Sequence, residues 1–195
     1  LVAIQSLPDE QRYVELSPSP IGVGVSLITC MFMHADFIWH LGFNMLFLWV
    51  FGNNIEDRLG RGLFTVYYFV GGIVATLCHW AMSQPPYDAV PMVGASGAVA
   101  VMLGAYAVTY PNARIRILLL LFCIPLFFEL PALVVLGGWL ALELFQAWQE
   151  QQGLVTDVAL WAHIGGFMFG AATMPFLPKL PPPPPRESGP LVRVD

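Results

Sequence analysis

The stretch VALWAHIGGFMFGAATMPFL, from Val158 to Leu177, runs for twenty residues without an Asp, Glu, Lys or Arg. A helix needs about 20 predominantly apolar residues to cross the hydrocarbon core of a bilayer, so this segment reads as a membrane span. Its one ionisable group is His163. A titratable side chain at that depth is costly and asks for a reason. Just below it, Gly166 and Gly170 form a GxxxG pair, the small-residue face by which a second helix can approach closely.

Working outward, further apolar segments of near-spanning length lie at about 37–55, 63–82, 91–110 and 131–149. The first can draw extra length from Ile21–Met33. Between the third and fourth, the apolar run Ile115–Leu130 is broken by Pro125 and ends at Pro131, and is expected to dip into the membrane as a loop. Composition agrees with this reading. The chain is 57% hydrophobic and only 11% charged, with a mean hydropathy of +0.68, whereas a soluble domain carries about a quarter charged residues. The expected class is therefore all-α, a polytopic membrane helix bundle whose surroundings are the lipid bilayer. With a net charge of −5 and no basic patch to meet phosphate, nucleic acid is not an expected partner. Cys30, Cys78 and Cys123 fall in apolar stretches without CxxC spacing and read as core thiols.

The connections are short and polar, and they orient the bundle. Arg58 and Arg61 lie in one loop, Arg114 and Arg116 in a second, and Lys179, Arg186 and Arg193 in the tail. With five spans these regions share one side, expected to be cytoplasmic, which leaves only Arg12 opposite. Three regions result: an external or membrane-surface segment 1–30, a membrane domain 31–177, and a Pro-rich cytoplasmic tail 178–195. The tail's Pro181–Pro185 run is expected to be extended and disordered. The segment Leu1–Pro20 lies outside without a signal peptide to carry it there, so an upstream membrane helix is expected to precede it.

The polar groups inside the spans converge on one level. His40 with Asn44 in the first span, Ser96 in the third and His163 in the fifth all lie toward the external ends of their helices. Ser96 and His163 are each about 8 Å below the outer end, at about 1.5 Å of rise per residue. Ser96 stands in Gly94-Ala95-Ser96-Gly97, where small residues admit close backbone approach and a helix start leaves N–H groups free. Free N–H donors are what an oxyanion hole requires. A serine hydroxyl is a weak nucleophile until a base stands within hydrogen-bond reach, and His163 can be that base if the third and fifth spans touch. Gly97 is small on the facing helix.

Each feature has a plainer reading. GxSG and GxxxG are common packing devices in membrane helices, and a lone histidine can be structural. His34, His40 and His163 could hold a metal, although no acid or thiol is placed to complete that set. Glu143 reads as an interfacial carboxylate near the outer end of its span. Glu56, Asp57, Arg58 and Arg61 read as a solvated ion network. The joint arrangement at one depth favours catalysis.

Four motifs, in order, carry a family likeness: His40-x-x-x-Asn44, Glu56-x-x-x-Gly60-x-x-x-Phe64, Gly94-x-Ser96-Gly97 and Ala162-His163-x-x-Gly166-x-x-x-Gly170. From about Cys30 to Phe176 the chain resembles the rhomboid family of intramembrane serine proteases. The resemblance implies five of the six core helices of that fold, the first one being absent from this sequence. It implies a catalytic dyad of Ser96 and His163 without an acid. His40 and Asn44 would join the Ser96 N–H in holding the oxyanion, with Gly94 and Ala95 shaping the pocket and Gly97, Gly166 and Gly170 serving helix packing. The segment before Pro20 would resemble an external loop on the membrane, and the span after Pro131 the helix that borders substrate entry. Expected substrates are transmembrane proteins with a helix-weakening segment, and no metal or cofactor is implied. The expected location is a multi-pass protein of a bacterial inner membrane with the site facing outward. The alternative is a rhomboid-like protein that binds membrane helices without cutting them. A transporter is disfavoured, because the span centres show no ionisable groups.

Overall fold

A computed structural model of the chain describes residues 20–82, 93–121, 124–154 and 158–180, and its architecture is a helical bundle with one short hairpin. Helix α1 (Pro20–Thr29) ends in a 3-10 turn, Cys30–Phe32, after which the chain turns through 87° into α2 (Phe37–Leu59). The Asp36 carboxylate caps that second helix, accepting the N–H groups of Trp39 and His40. Widened π turns at Phe37–Leu41 and Leu48–Gly52 flank a regular α segment. Gly60 ends α2 with φ +77°, its N–H bonding to the Glu56 carbonyl at 2.7 Å. Phe64 N–H then bonds to the Gly60 carbonyl at 2.9 Å as α3 (Arg61–Met82) begins. The four-residue rhythm of Glu56, Gly60 and Phe64 is thus a helix stop followed by a helix start.

Helix α4 (Ser96–Thr109) is the centre of the bundle. All its residues from Gly97 to Ala107 are buried, so it has no lipid-facing side along that length. After it come β1 (Arg114–Leu121) and β2 (Ile124–Pro131), an antiparallel pair in register from Arg114 opposite Pro131 to Leu121 opposite Ile124. Helices α5 (Ala132–Gln151) and α6 (Leu160–Thr173) follow, the latter closing in a 3-10 turn, Met174–Phe176. Tyr67 of α3 donates its hydroxyl to the Gly170 carbonyl of α6 at 3.1 Å, tying the two helices that flank α4. Large apolar side chains such as Ile21, Trp49, Val66, Trp80 and Phe145 face outward, as they do when the surrounding solvent is hydrocarbon.

The helical bundle is as expected, but its parts differ in extent. Helices α3 and α5 are long and apolar enough to cross a bilayer, and the bent pair α1–α2 makes a third span if taken as one. The segment expected as the third span, 91–110, yields only the fourteen residues of α4. Gly94 adopts φ +121°, outside helical geometry, and its N–H bonds to the Cys30 carbonyl at 2.8 Å. The span expected at 158–177 begins as a helix only at Leu160, after Ala159 at φ −76°, ψ 65°. The segment 115–130, expected as a membrane-dipping loop, folds as the β hairpin, with Arg116 and Glu129 directly opposite and paired at 2.9 Å across its face. A largely apolar run of that length fits a strand pair as well as a helix. The expected ion network is reduced to Arg61 with Glu56 at 3.5 Å, while Arg58 donates to the Met174 carbonyl at 3.3 Å. The segment before Pro20, with Arg12, and most of the tail, including the Pro181–Pro185 run, lie outside the described residues.

Candidate active site

Ser96 is the first residue of α4, rather than lying a turn and a half inside a longer helix. The first backbone bond of that turn runs from Val99 N–H to the Ala95 carbonyl at 2.9 Å. The N–H groups of Ser96, Gly97 and Ala98 therefore sit above the helical ladder, where a helix has no partner to offer them. They point out of the end of α4, the direction that favours developing negative charge.

Helices α2 and α6 meet this turn. From α2, His40 lies against Gly94 so closely that a Cβ built on that glycine would come within 2.5 Å of the His40 Nε2. Only a glycine fits there, for its φ and for that contact. The His40 Nδ1 accepts a long hydrogen bond from Ala35 N–H at 3.4 Å, which assigns the ring proton to Nε2, the atom facing Gly94. One turn along, Asn44 is buried at 6% exposure, with its Nδ2 donating to the His40 carbonyl at 2.9 Å. The rings of His34 and His40 meet edge to face, 5.1 Å apart. Beside them is a mainly apolar cavity of about 390 Å³ bounded by Met31, His34, Leu41, Asn44, Phe64 and Ala95.

From α6, Ala162 and Gly166 meet Gly97. A Cβ on Gly97 would lie 3.6 Å from the Ala162 Cβ, and one on Gly166 would collide with the Gly97 carbonyl oxygen. The residues adjoining Ser96 and His163 are thus in backbone contact, which is what the GxxxG reading of Gly166 and Gly170 requires. Gly170 repeats the arrangement one turn down, against the Val101 carbonyl. Ser96 precedes Gly97 and His163 follows Ala162 on either side of this crossing. No hydrogen bond joins them among the described residues, where the His163 ring is bonded to a different partner.

That partner is Glu143 of α5. Its Oε2 lies 3.0 Å from His163 Nδ1, the two side chains being 9% and 12% exposed. Trp139, one turn earlier on the same helix, holds its ring 5.9 Å from the imidazole and 5.9 Å from Phe167. The interfacial reading of Glu143 is therefore corrected. The residue lies within α5, eight residues short of its end at Gln151, and is buried against the bundle. A signal was present in the sequence, since a carboxylate in the apolar part of a membrane helix is by default a functional candidate. Trp139 carried no such signal. Among the described residues no group of three or more His, Cys, Asp or Glu side chains comes together, so His34, His40 and His163 do not form the metal set considered from the sequence.

The chain matches the Rhomboid domain family over residues 23–179. It is 34% identical over 166 residues to Rhomboid protein 1, mitochondrial, of Saccharomyces cerevisiae, covering 82% of this chain and 44% of that protein. It is 29% identical over 162 residues to Presenilin-associated rhomboid-like protein A, mitochondrial, of Danio rerio, covering 82% and 39%. Against Rhomboid protease GluP of Bacillus subtilis it is 39% identical over 79 residues, 40% of this chain and 14% of that one. The chain thus spans less than half the length of these relatives. Two of the three are mitochondrial by name, and the expectation of a bacterial inner membrane draws no support from them.

Proposed function

The chain belongs to the rhomboid family, and from that premise we propose that it is an intramembrane serine endopeptidase acting on transmembrane proteins. Ser96 is the nucleophile and His163 the base. The observation that carries this reading is the crossing of α4 and α6 at Gly97, Ala162 and Gly166, which sets the serine-bearing helix end against the histidine-bearing helix.

In the first half-reaction the Ser96 Oγ attacks the scissile carbonyl carbon as its proton passes to the His163 Nε2. The carbonyl oxygen gains the negative charge. The Ser96 N–H, the His40 Nε2–H and the second hydrogen of the Asn44 amide are the donors that meet it, with Gly94 and Ala95 forming the wall. Collapse breaks the C–N bond, and the imidazolium gives its proton to the leaving amine. Water then repeats the sequence on the acyl-serine, releasing the acid and restoring the hydroxyl. The mainly apolar cavity beside Asn44 and Ala95 suits the side chains of a membrane-derived segment. The site faces the external side, with the tail cytoplasmic, following the seven-to-one distribution of basic residues.

The test is labelling of the detergent-solubilised chain with a fluorescent fluorophosphonate, beside Ser96→Ala and His163→Ala. Labelling of wild type and its loss in both variants, with melting behaviour unchanged, is the expected result. A folded wild type that stays unlabelled would turn the reading to the alternative, a protein that binds membrane helices without hydrolysis.

A further inference from the structure

We propose that Glu143 is the positioning residue of His163, so that the site works as a Ser96–His163–Glu143 triad and not as a dyad. This rests on the protease reading above. Among the described residues Asn44 and Glu143 are the buried polar side chains apart from tyrosines, and each sits at the candidate site. A carboxylate on a membrane helix is expensive unless a partner offsets its lost hydration. Here the partner is the nitrogen of His163 that the chemistry does not use. A carboxylate can only accept at that position, so Nδ1 carries the ring proton and Nε2 keeps its lone pair. That is the tautomer a base must have before it can take the Ser96 proton.

The ring plane is held independently. Trp139, one turn before Glu143 on α5, lies 5.9 Å from the imidazole at 39° to its plane, and Phe167 in turn lies 5.9 Å from Trp139. Orientation thus comes from the Trp139 ring, and the tautomer from one carboxylate. When the tetrahedral species forms, the proton accepted at Nε2 leaves an imidazolium whose Nδ1–H already points at a negative charge. The proton at Nδ1 stays where it is, and Glu143 forms no bond with substrate. The other imidazoles within electrostatic reach of His163 are those of His40 and His79, and neither can supply that negative charge.

A tie that served only to fasten α5 to α6 would predict lost stability with unchanged chemistry per folded molecule. The two roles separate in the fluorophosphonate reaction followed as a time course on wild type, Glu143→Gln, Glu143→Ala and Glu143→Asp. The expected result is a maximal labelling rate lowered on the order of 10²-fold in Glu143→Gln at unchanged half-saturation, since the acid of a serine triad contributes up to about 10⁴-fold. Glu143→Ala should lose at least as much, and Glu143→Asp should recover part. Glu143→Gln labelling within about twofold of wild type would overturn the proposal while leaving the protease reading intact. An unlabelled wild type would overturn both. Nitrogen-15 NMR of histidine-labelled Ser96→Ala protein reads the pair without turnover. A protonated Nδ1 on His163 that reverts to a tautomer mixture with Glu143→Gln supports the assignment, and a bare Nδ1 with Glu143 intact overturns it.

Discussion

Helix α6 makes two contacts of opposite kinds. Against α4 it packs backbone on backbone. A Cβ on Gly104 would fall on the Phe167 carbonyl, one on Gly170 on the Val101 carbonyl, and one on Gly166 on the Gly97 carbonyl. Against α5 the packing is sparse. That helix buries only Ala132, Leu136, Glu143 and Ala147, and a Cβ on Gly137 or Gly138 would meet nothing within 4 Å. In a bilayer, helices gain nothing by hiding apolar surface from lipid, so close packing and interhelical polar bonds must hold them together. The α4–α6 contact uses the first device and the α5–α6 contact the second. The difference matches their tasks, since one fixes where the nucleophile's helix stands and the other fixes how the base is turned.

Breaking the first contact should have the largest consequence. Gly104→Val places a branched side chain into the Phe167 backbone, and neither helix can yield without the other moving. The cost should exceed the about 1–3 kcal/mol of ordinary overpacking, so loss of the cooperative melt in detergent is expected. Gly97→Ala is a milder probe of the packing around α4, this time against α3. Its added Cβ would lie 2.9 Å from that of Ala75, and a loss of about 1–3 kcal/mol should appear as a lowered melting temperature. The second contact should tolerate the opposite change. At Gly137→Ala nothing is met, and the gain in helix propensity, up to about 1 kcal/mol, should leave the melting temperature level or slightly raised. Equal damage from Gly104→Val and Gly137→Ala would erase the distinction.

The smallest effect should come from a cap outside both contacts. The Trp39 N–H, with that of His40 adding less, holds the Asp36 carboxyl below the usual carboxylate range. A depressed folded value means that the cap stabilises the fold above the ordinary carboxyl pKa and loses that contribution as pH falls through the lowered one. Asp36→Asn should therefore differ slightly from wild type near neutrality and converge on it in acid, as read by melting temperature against pH.

Much of this was legible in the sequence, for reasons that also explain what was not. Hydropathy located the apolar segments, because membrane depth imposes composition on each segment separately. Gly166 and Gly170 announced the α4–α6 contact, because close approach demands small residues wherever the partner lies. Helix starts were less visible. Ser96 opens α4 because Gly94 takes a positive φ and bonds to Cys30, a residue 64 positions earlier. The hairpin was hidden because Ile115–Leu130 is apolar except for Arg116 and Glu129 at its ends, and its strand character rests on pairing that begins with Arg114 opposite Pro131. Glu143 was visible as an oddity but not as a partner, since its twenty-residue separation from His163 acquires meaning only when α5 folds back on α6.

The hairpin also has a mechanical meaning. Its closed base, with Ala132 N–H on the Ala113 carbonyl at 2.8 Å and Leu133 N–H on the Pro111 carbonyl at 3.0 Å, pins the start of α5 to the end of α4. A helix pinned at one end moves as a lever. Glu143 lies eleven residues along that arm, about 17 Å from the fulcrum at about 1.5 Å per residue. A tilt of about 10° would carry it roughly 3 Å, the full length of its bond to His163. Any membrane segment that wedges α5 outward at the end away from the hairpin would thus alter the bond to His163 through a lever.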